Sequence, residues 1–461
     1  MTISSAMSNA LGGMTYNVRT AEVIASNVAN ASNDAYSKRE FDNGLVKRIT
    51  NPVLLSDRRL SDAEVGLASG GLKGAQKIEQ VFGTIEDAGS ISSSLAAFDS
   101  ALVLAASDPS STLRLEAVVD AANGLTAAFN AKETELQDIR RQADSTIASQ
   151  VEHLNAKLEE VANLNHSISV AKHGDVEVSG LMDQRQKALD EIAELVPIRT
   201  VARDRGELTV YTEGGAILVG DQAAVVGFDE TPTIAAHMTQ ANGMLGGLML
   251  NGRPVSLTDK GPFAGGAIAA QFLLRDETVP EYQQSLDAAA QEIALRFESG
   301  GPDGTIAAGA PGLFTDMGSV TAPPSTGLAG RLQLNSAVTA EDAWRIRDGI
   351  YAPANGEVGD PTVLNSMLSS LNGTTGPQSV SGSLSDMVTD LENRAVSARV
   401  RLETQQSAAT DRNISLREIE LSEGVDTDQE LQNLMLVERA YAANAQVLQT
   451  LDDLITRLLE M

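Results

Sequence analysis

Metal ligation and proton transfer near neutral pH fall most readily to histidine, and the chain has His153, His166, His173 and His237. His166 and His173 are spaced to share one helix face. Neither has a histidine four residues away and no third ligand stands close by, so solvated or bundle-edge side chains explain them better than a zinc site. Asp426, Asp428 and Glu430 alternate like the start of a calcium loop but lack its central glycine and terminal glutamate, so helix capping is the better reading. The glycine-rich stretches from Gly70 to Gly74 and from Gly261 to Gly266 do not have the spacing of a phosphate-binding loop. No Gly-x-Ser-x-Gly elbow occurs. The absence of cysteine removes thiol catalysis, disulfides and thiolate metal sites together. Acidic residues are plentiful, yet none is singled out as an acid–base pair. No catalytic residue, cofactor-binding residue or metal ligand is assigned, no cofactor is expected, and the chain does not read as an enzyme.

Without chemistry of its own, the chain must act through its elements. Its 461 residues are enough for several domains. Hydrophobic residues make up 42%, which excludes a disordered chain, but aromatics only 3%, with Trp344 the sole tryptophan. Cores must therefore be built from Ala, Leu, Ile and Val, which suits closely packed long helices. A net charge of −28 excludes nucleic acid as a partner and works against adhesion to anionic membranes. Met1 to Asn30 lacks a basic start followed by an unbroken apolar run, and no run approaches a membrane span of about 18 residues. Neither a cleaved leader nor a membrane partner is expected.

All prolines but Pro52 and Pro109, and most glycines, lie between Gly174 and Gly382. That divides the chain into a helical arm, an irregular or β-rich middle and a second helical arm. After an expected break at Asn123 and Gly124, Leu125, Phe129, Leu136, Ile139, Ala143, Ile147, Val151, Leu154, Leu158, Val161 and Ile168 keep helical spacing. Some 45 residues in that pattern would extend roughly 65 Å. In the middle, Val196, Ile198 and Thr200 alternate, Asp204 to Gly206 turns, Leu208 to Tyr211 returns, and Glu213 to Gly215 turns again before Ile217 to Val219. Tyr282, Leu286, Ala289, Ile293 and Phe297 predict a helix inside this zone, and Gly300 to Gly304 and Ala322 to Ser325 predict loops. The second arm opens near Leu384, breaks at Ser422 to Gly424, and resumes with a capping box of Thr427 and Glu430.

The two ends carry the clearest pattern. Ile3, Met7, Ala10, Met14, Asn17, Ala21, Ile24 and Val28 alternate steps of four and three, as in a coiled-coil seam. Leu434, Val437, Tyr441, Asn444, Leu448, Leu451, Ile455 and Leu458 do the same, and Leu436, Ala440, Ala443, Val447 and Leu454 add a second stripe on another face. A helix apolar on two faces needs more than one neighbour, so the ends are expected to pair with each other and then with other copies. An intramolecular bundle is the alternative. Asn17 and Asn444 either fix register within the seam or sit exposed where it is imperfect.

A turn-rich stretch runs from Asn30 to Tyr36. Ser26 to Tyr36, followed by Ser37 to Arg39, is similar to the asparagine-rich N-terminal motif of the axial proteins of the bacterial flagellum. Val425, Asp426, Glu430, Asn433, Leu434, the run Ala440 to Ala445 and Val447 resemble their C-terminal motif. Gly180 to Gln186 and Ala188 to Asp190, with Gly246 to Leu248, Gly312 to Phe314 and Leu334 to Asn335, resemble the hook-associated proteins of that family. Ala35 stands where the family has glycine, and Val28 where it has isoleucine. The chain is short for the family, which implies a reduced or missing outermost domain.

The resemblance implies an α+β, multidomain fold with terminal helices paired as a coiled-coil-like layer, a long-helix bundle domain and a β-rich middle domain. Residues 1–50 and 425–461 would be the terminal helical assembly region, disordered before assembly. Residues 51–195 and 383–424 would be the bundle, and 196–382 the β-rich domain with an internal helix near 276–299. The function implied is a structural subunit joining hook to filament, exported by the flagellar type III apparatus and located in the extracellular flagellum at the hook–filament junction. The alternatives are a hook or distal-rod axial subunit and, from another class, a hydrolase displayed on the middle domain. Implied partners are other copies of the chain, hook protein, a second hook-associated junction protein and an export chaperone on the C-terminal helix. Subunit packing is expected of Met7, Met14, Ile24, Val28, Leu434, Val437, Tyr441, Asn444, Leu448, Leu451 and Ile455.

Overall fold

The longest apolar period in the chain becomes its longest helix. In the computed structural model, which describes residues 3–33, 35–83, 87, 89–174, 176–257, 261–323, 325–374 and 382–460, a single helix runs from Thr112 to His173. Asp34 of the asparagine-rich stretch and Pro324 of the predicted loop lie outside the described residues. The break expected at Asn123 and Gly124 is absent. Both residues face solvent, while Val118, Val119, Ala122, Leu125 and Phe129 around them are buried. A glycine in a helix interior costs only about 1 kcal/mol, and burial on the opposite face outweighs it.

In chain order the elements are α1 (Ile3–Ala29), β1 (Arg39–Asp42), β2 (Leu45–Arg48), α2 (Pro52–Phe82), α3 (Ile91–Ser107), α4 (Thr112–His173) and α5 (Ser179–Leu195). Then come β3 (Ile198–Ala202), β4 (Leu208–Thr212), β5 (Ile217–Val219), β6 (Val226–Gly227), β7 (Met249–Leu250), β8 (Arg253–Pro254), α6 (Gly266–Leu273) and α7 (Val279–Arg296). The chain closes with β9 (Phe314–Asp316), β10 (Leu332–Leu334), α8 (Trp344–Asp348), α9 (Thr362–Leu371), α10 (Leu384–Ser422) and α11 (Thr427–Leu459). This is an α+β multidomain chain. Its sheets are small and antiparallel: β1–β2, β3–β4–β5, β6–β7–β8 and β10–β9. β3, β4 and β5 fall where the alternation and turns between Ile198 and Val219 put them.

Two apolar cores share α4. The larger joins its first half, up to Ala143, to α3, α7, α8, α9 and the start of α10. The second joins Ile147 to Val161 of α4 with α5, α6 and the sheets after Ile198. Both cores therefore draw on residues from either side of position 196. Between them lies a buried polar belt. Arg140 donates to the carbonyls of Arg275 at 3.0 Å and Met238 at 2.6 Å, and Arg275 donates to Asp144 and to Gly246 O. The belt ties the segment around residues 235–246 to the long helix.

The glycines of α2 explain its close packing. A Cβ at Gly66 would stand 2.3 Å from Glu194 O, at Gly70 2.5 Å from Ala270 Cβ, and at Gly74 2.7 Å from Leu274 Cδ1. Spaced by four, they form one flat stripe on which α5, α6 and the turn after α6 press. The run at Gly70 thus serves helix packing. α10 begins with a reciprocal capping box, in which Asp386 N donates to Ser383 Oγ at 3.1 Å and Ser383 N to Asp386 Oδ2 at 2.8 Å. For α11 the expected box of Thr427 and Glu430 is not what forms. Asp426 is the cap and accepts from Asp428 N and Gln429 N. An aspartate one residue earlier reaches the free amides better, and Glu430 turns to Lys38 instead, at 3.4 Å.

Candidate assembly site

α1 and α11, from opposite ends of the chain, pack side by side and antiparallel. Gly13 lies against Asn444 at mid-length, while Lys38, just beyond α1, reaches Glu430 at the start of α11. A Cβ at Gly13 would meet Asn444 Nδ2 at 2.7 Å, so a larger residue there would require the Asn444 side chain to shift. Asn17 and Asn444 are both half-buried.

The seam residues divide by burial. On α1, Ala10 and Ile24 are buried, Met14, Asn17, Ala21 and Val28 half-buried, and Ile3 and Met7 exposed. On α11, Leu434, Val437, Asn444, Leu448, Leu451 and Ile455 are half-buried and Tyr441 is exposed. The second stripe of Leu436, Ala440, Ala443, Val447 and Leu454 is exposed throughout, as are Leu431, Met435 and Leu458. Among the described residues of α11, Glu430 alone is buried. One partner helix covers one stripe and leaves the other wet.

A polar latch holds this pair to the body. Asn27 is buried and its amide grips Arg39 like a strand partner, donating to Arg39 O at 2.9 Å and accepting from Arg39 N at 3.0 Å. Its oxygen also accepts from Tyr36 Oη at 2.9 Å. The hairpin β1–β2 that follows turns on Asn43 (φ 50°) and Gly44 (φ 84°), the left-handed pair that a two-residue hairpin turn requires. From this hairpin Arg39 and Arg48 both reach Asp183 of α5, at 2.8 and 2.9 Å. Arg48 also donates to Ser37 Oγ at 2.7 Å and Gln186 Oε1 at 2.8 Å. The segment from Asp183 to Gln186 is thus divided: Asp183 and Gln186 hold the hairpin, and Arg185 points the other way. Arg185 donates to Asn165 Oδ1 of α4 at 2.8 Å and Gly206 O at 2.7 Å. Burial, with Arg48 and Arg59 close by, pulls Arg185 down to about 10. Burial also lowers Arg48, against the pull of Asp183.

Below the latch, α2, α5 and α10 meet through charge. Arg58, 2% exposed, lies within 2.8 Å of Asp62, 2.6 Å of Asp190 and 2.7 Å of Glu420, although only the bond to Asp62 is well aligned. Asp62 in turn accepts from Asn413 at 2.8 Å and Arg417 at 2.9 Å. Burial opposes the charge on Arg58, but the three carboxylates outweigh it and its pKa is raised; burial likewise raises Glu420.

Sequence reasoning assembled the two seams but missed the hairpin and the arginine clusters. Asn43 followed by Gly44 was a readable hairpin signal. Arg58 and Glu420, hundreds of residues apart, carried none. No group of residues suited to hold a metal ion occurs among the described residues, and no helix among them is long and apolar enough to cross a membrane.

Residues 75–314 match the model of the flagellar hook-associated protein FlgK helical domain. The chain belongs to this family. Residues 422–461, essentially α11, also match the model of the flagellar basal body rod FlgEFG protein C-terminal region. Among curated relatives, the chain is 20% identical to flagellar hook-associated protein 1 of Bacillus subtilis (strain 168) over 94% of each chain. It is 28% identical to flagellar hook-associated protein 1 of Salmonella typhimurium over 33% of this chain and 29% of the relative. A solved structure, the flagellar hook junction protein FlgK from Burkholderia pseudomallei, is 18% identical with a TM-score of 0.46, covering 56% of this chain and 46% of that one. Family membership makes the chain a structural component of the flagellar axis, not an enzyme.

Proposed function

We propose that the chain is a junction subunit that joins hook to filament and polymerises through its terminal helices. The observation that carries this is the contrast in α11: 33 residues long, apolar on two faces, and buried among the described residues only at Glu430. A surface of that kind is a subunit interface awaiting its neighbours. Met7, Met14, Ile24, Val28 and the α11 seam from Leu434 to Ile455 pack the pair, and the exposed stripe from Leu436 to Leu454 takes the next copy, head to tail around a tube. Residues 1–50 and 425–461 act as the assembly region and are unordered until assembly. Residues 51–195 and 383–424 form the bundle, and 196–382, where the larger sheets lie, packs into the same two cores; together these parts meet hook protein on one side and a second hook-associated junction protein on the other.

Export through the flagellar type III apparatus, with a chaperone covering α11, and an extracellular location at the hook–filament junction complete this reading. A hook or distal-rod subunit is the second reading, and the rod-type match of residues 422–461 favours it. That match lies in the end helix alone, whereas the helical-domain match covers 75–314, which favours the junction. Electron microscopy of cells lacking the gene, with flagellin measured in the medium, separates the two. Hooks without filaments and flagellin shed to the medium are expected; missing hooks would place the chain lower in the axis.

A further inference from the structure

Beside the asparagine-rich loop lies an open polar groove of about 360 Å³, walled by Asn30, Asn33 and Arg39 on one side and by Gly180, Gln184 and Lys187 on the other. Positions 180, 184 and 187 form one stripe of α5. The charge around this groove does not balance. Arg39 and Arg48 share the single carboxylate of Asp183, and Arg39 Nε is buried without a hydrogen bond. Lys187 is exposed and has no acidic partner among the described residues. On a chain of net charge −28, this is a place where a carboxylate is wanted.

Unpaired carboxylates stand at the far end of the terminal pair. Asp452 and Asp453 of α11 are exposed and have no basic partner among the described residues. They cannot serve the groove of their own chain. Glu430, beside Lys38, marks the groove's end of α11, and Asp452 lies 22 residues along the helix from it, roughly 33 Å away. A neighbour displaced along the helix axis brings its own acidic end to that place.

We infer that the groove receives Asp452 and Asp453 of a second copy of this chain, as a head-to-tail contact beside the terminal helices. The contact sets the axial step between copies by charge, where the apolar stripe alone would permit sliding. It rests on the proposed polymerisation through those helices.

The chain has no cysteine, so Lys187→Cys and Asp453→Cys, each in a separate copy produced in the same cell, can join only across a subunit boundary. Oxidation of isolated flagella should yield a disulfide dimer that neither variant gives alone. In parallel, Lys187→Glu should reduce recovery of the chain in flagella at least tenfold, and combining it with Asp452→Lys and Asp453→Lys should restore most of it. Assembly of Lys187→Glu at the unmodified level overturns the inference, and so does a loss that the paired changes do not rescue. Recovery of both cysteine variants in flagella without a dimer, or with Lys187→Cys joined to a protein other than this chain, also overturns it. Absence of the unmodified chain from flagella would instead refute the proposed polymerisation. Because Lys187 is exposed, thermal unfolding of the purified Lys187→Glu chain should match that of the unmodified protein.

Discussion

α4 and α11 carry the same kind of sequence and meet opposite fates. Each is long, each repeats apolar residues at helical spacing, and each lacks interior proline. α4 buries a side chain at nearly every turn, from Leu115 to Ser169, because α3, α5, α6 and α7 surround it. α11 has α1 alongside and keeps Leu436, Val447 and Leu454 in water. Periodicity specifies that a face will be covered; it does not specify by whom. In α4 the partners are in the chain; for α11 we propose that the second partner comes from another subunit.

The largest effect is expected from removing α11. Truncation before Leu431 should leave a body that unfolds at its usual temperature, since both cores lie outside the removed segment, while recovery in flagella falls to background. Normal docking onto hooks would show that the uncovered helix is dispensable. A paired substitution asks the same question at single residues. Leu154→Ala, in the second core, should cost about 2–5 kcal/mol in denaturant unfolding. Leu436→Ala, 61% exposed, should change unfolding by less than about 0.5 kcal/mol yet impair assembly. If the two variants lose stability alike, the stripe is already covered in the monomer.

The latch gives a smaller effect between the two regions. Asp183→Asn strips the carboxylate from Arg39 and Arg48, whose side chains are mostly buried. Breaking such a pair should cost about 3 kcal/mol locally. In isolated flagella, where these residues are ordered, amide exchange should rise in residues 26–48 while that of α4 stays unchanged. Uniform exchange across both would mean that the hairpin does not depend on Asp183.

How much of this was legible follows the range of the interactions. The α4 period, the strands around Ile198 to Val219 and the end seams are local patterns, so residue spacing revealed them. Helix continuity across Gly124 was misread, because burial of Val119, Ala122 and Leu125 on the far face outweighs a local propensity. Gly66, Gly70 and Gly74 gave no hint of their role until α5 and α6 were seen pressed against them. The short strands β6, β7 and β8 have too few residues to show an alternation. The clusters around Arg58 and Asp183 join elements far apart in sequence, and charged residues there look like any solvated face.

In the proposed assembly, the terminal helices lack their cover until subunits come together. Amide hydrogen exchange, compared between the purified chain and isolated flagella, tests it most directly. Rapid exchange is expected over residues 3–29 and 427–459 in the purified chain, with strong protection of the same residues in flagella and protection of α4 in both. Equal protection of α11 and α4 in the purified chain would contradict it.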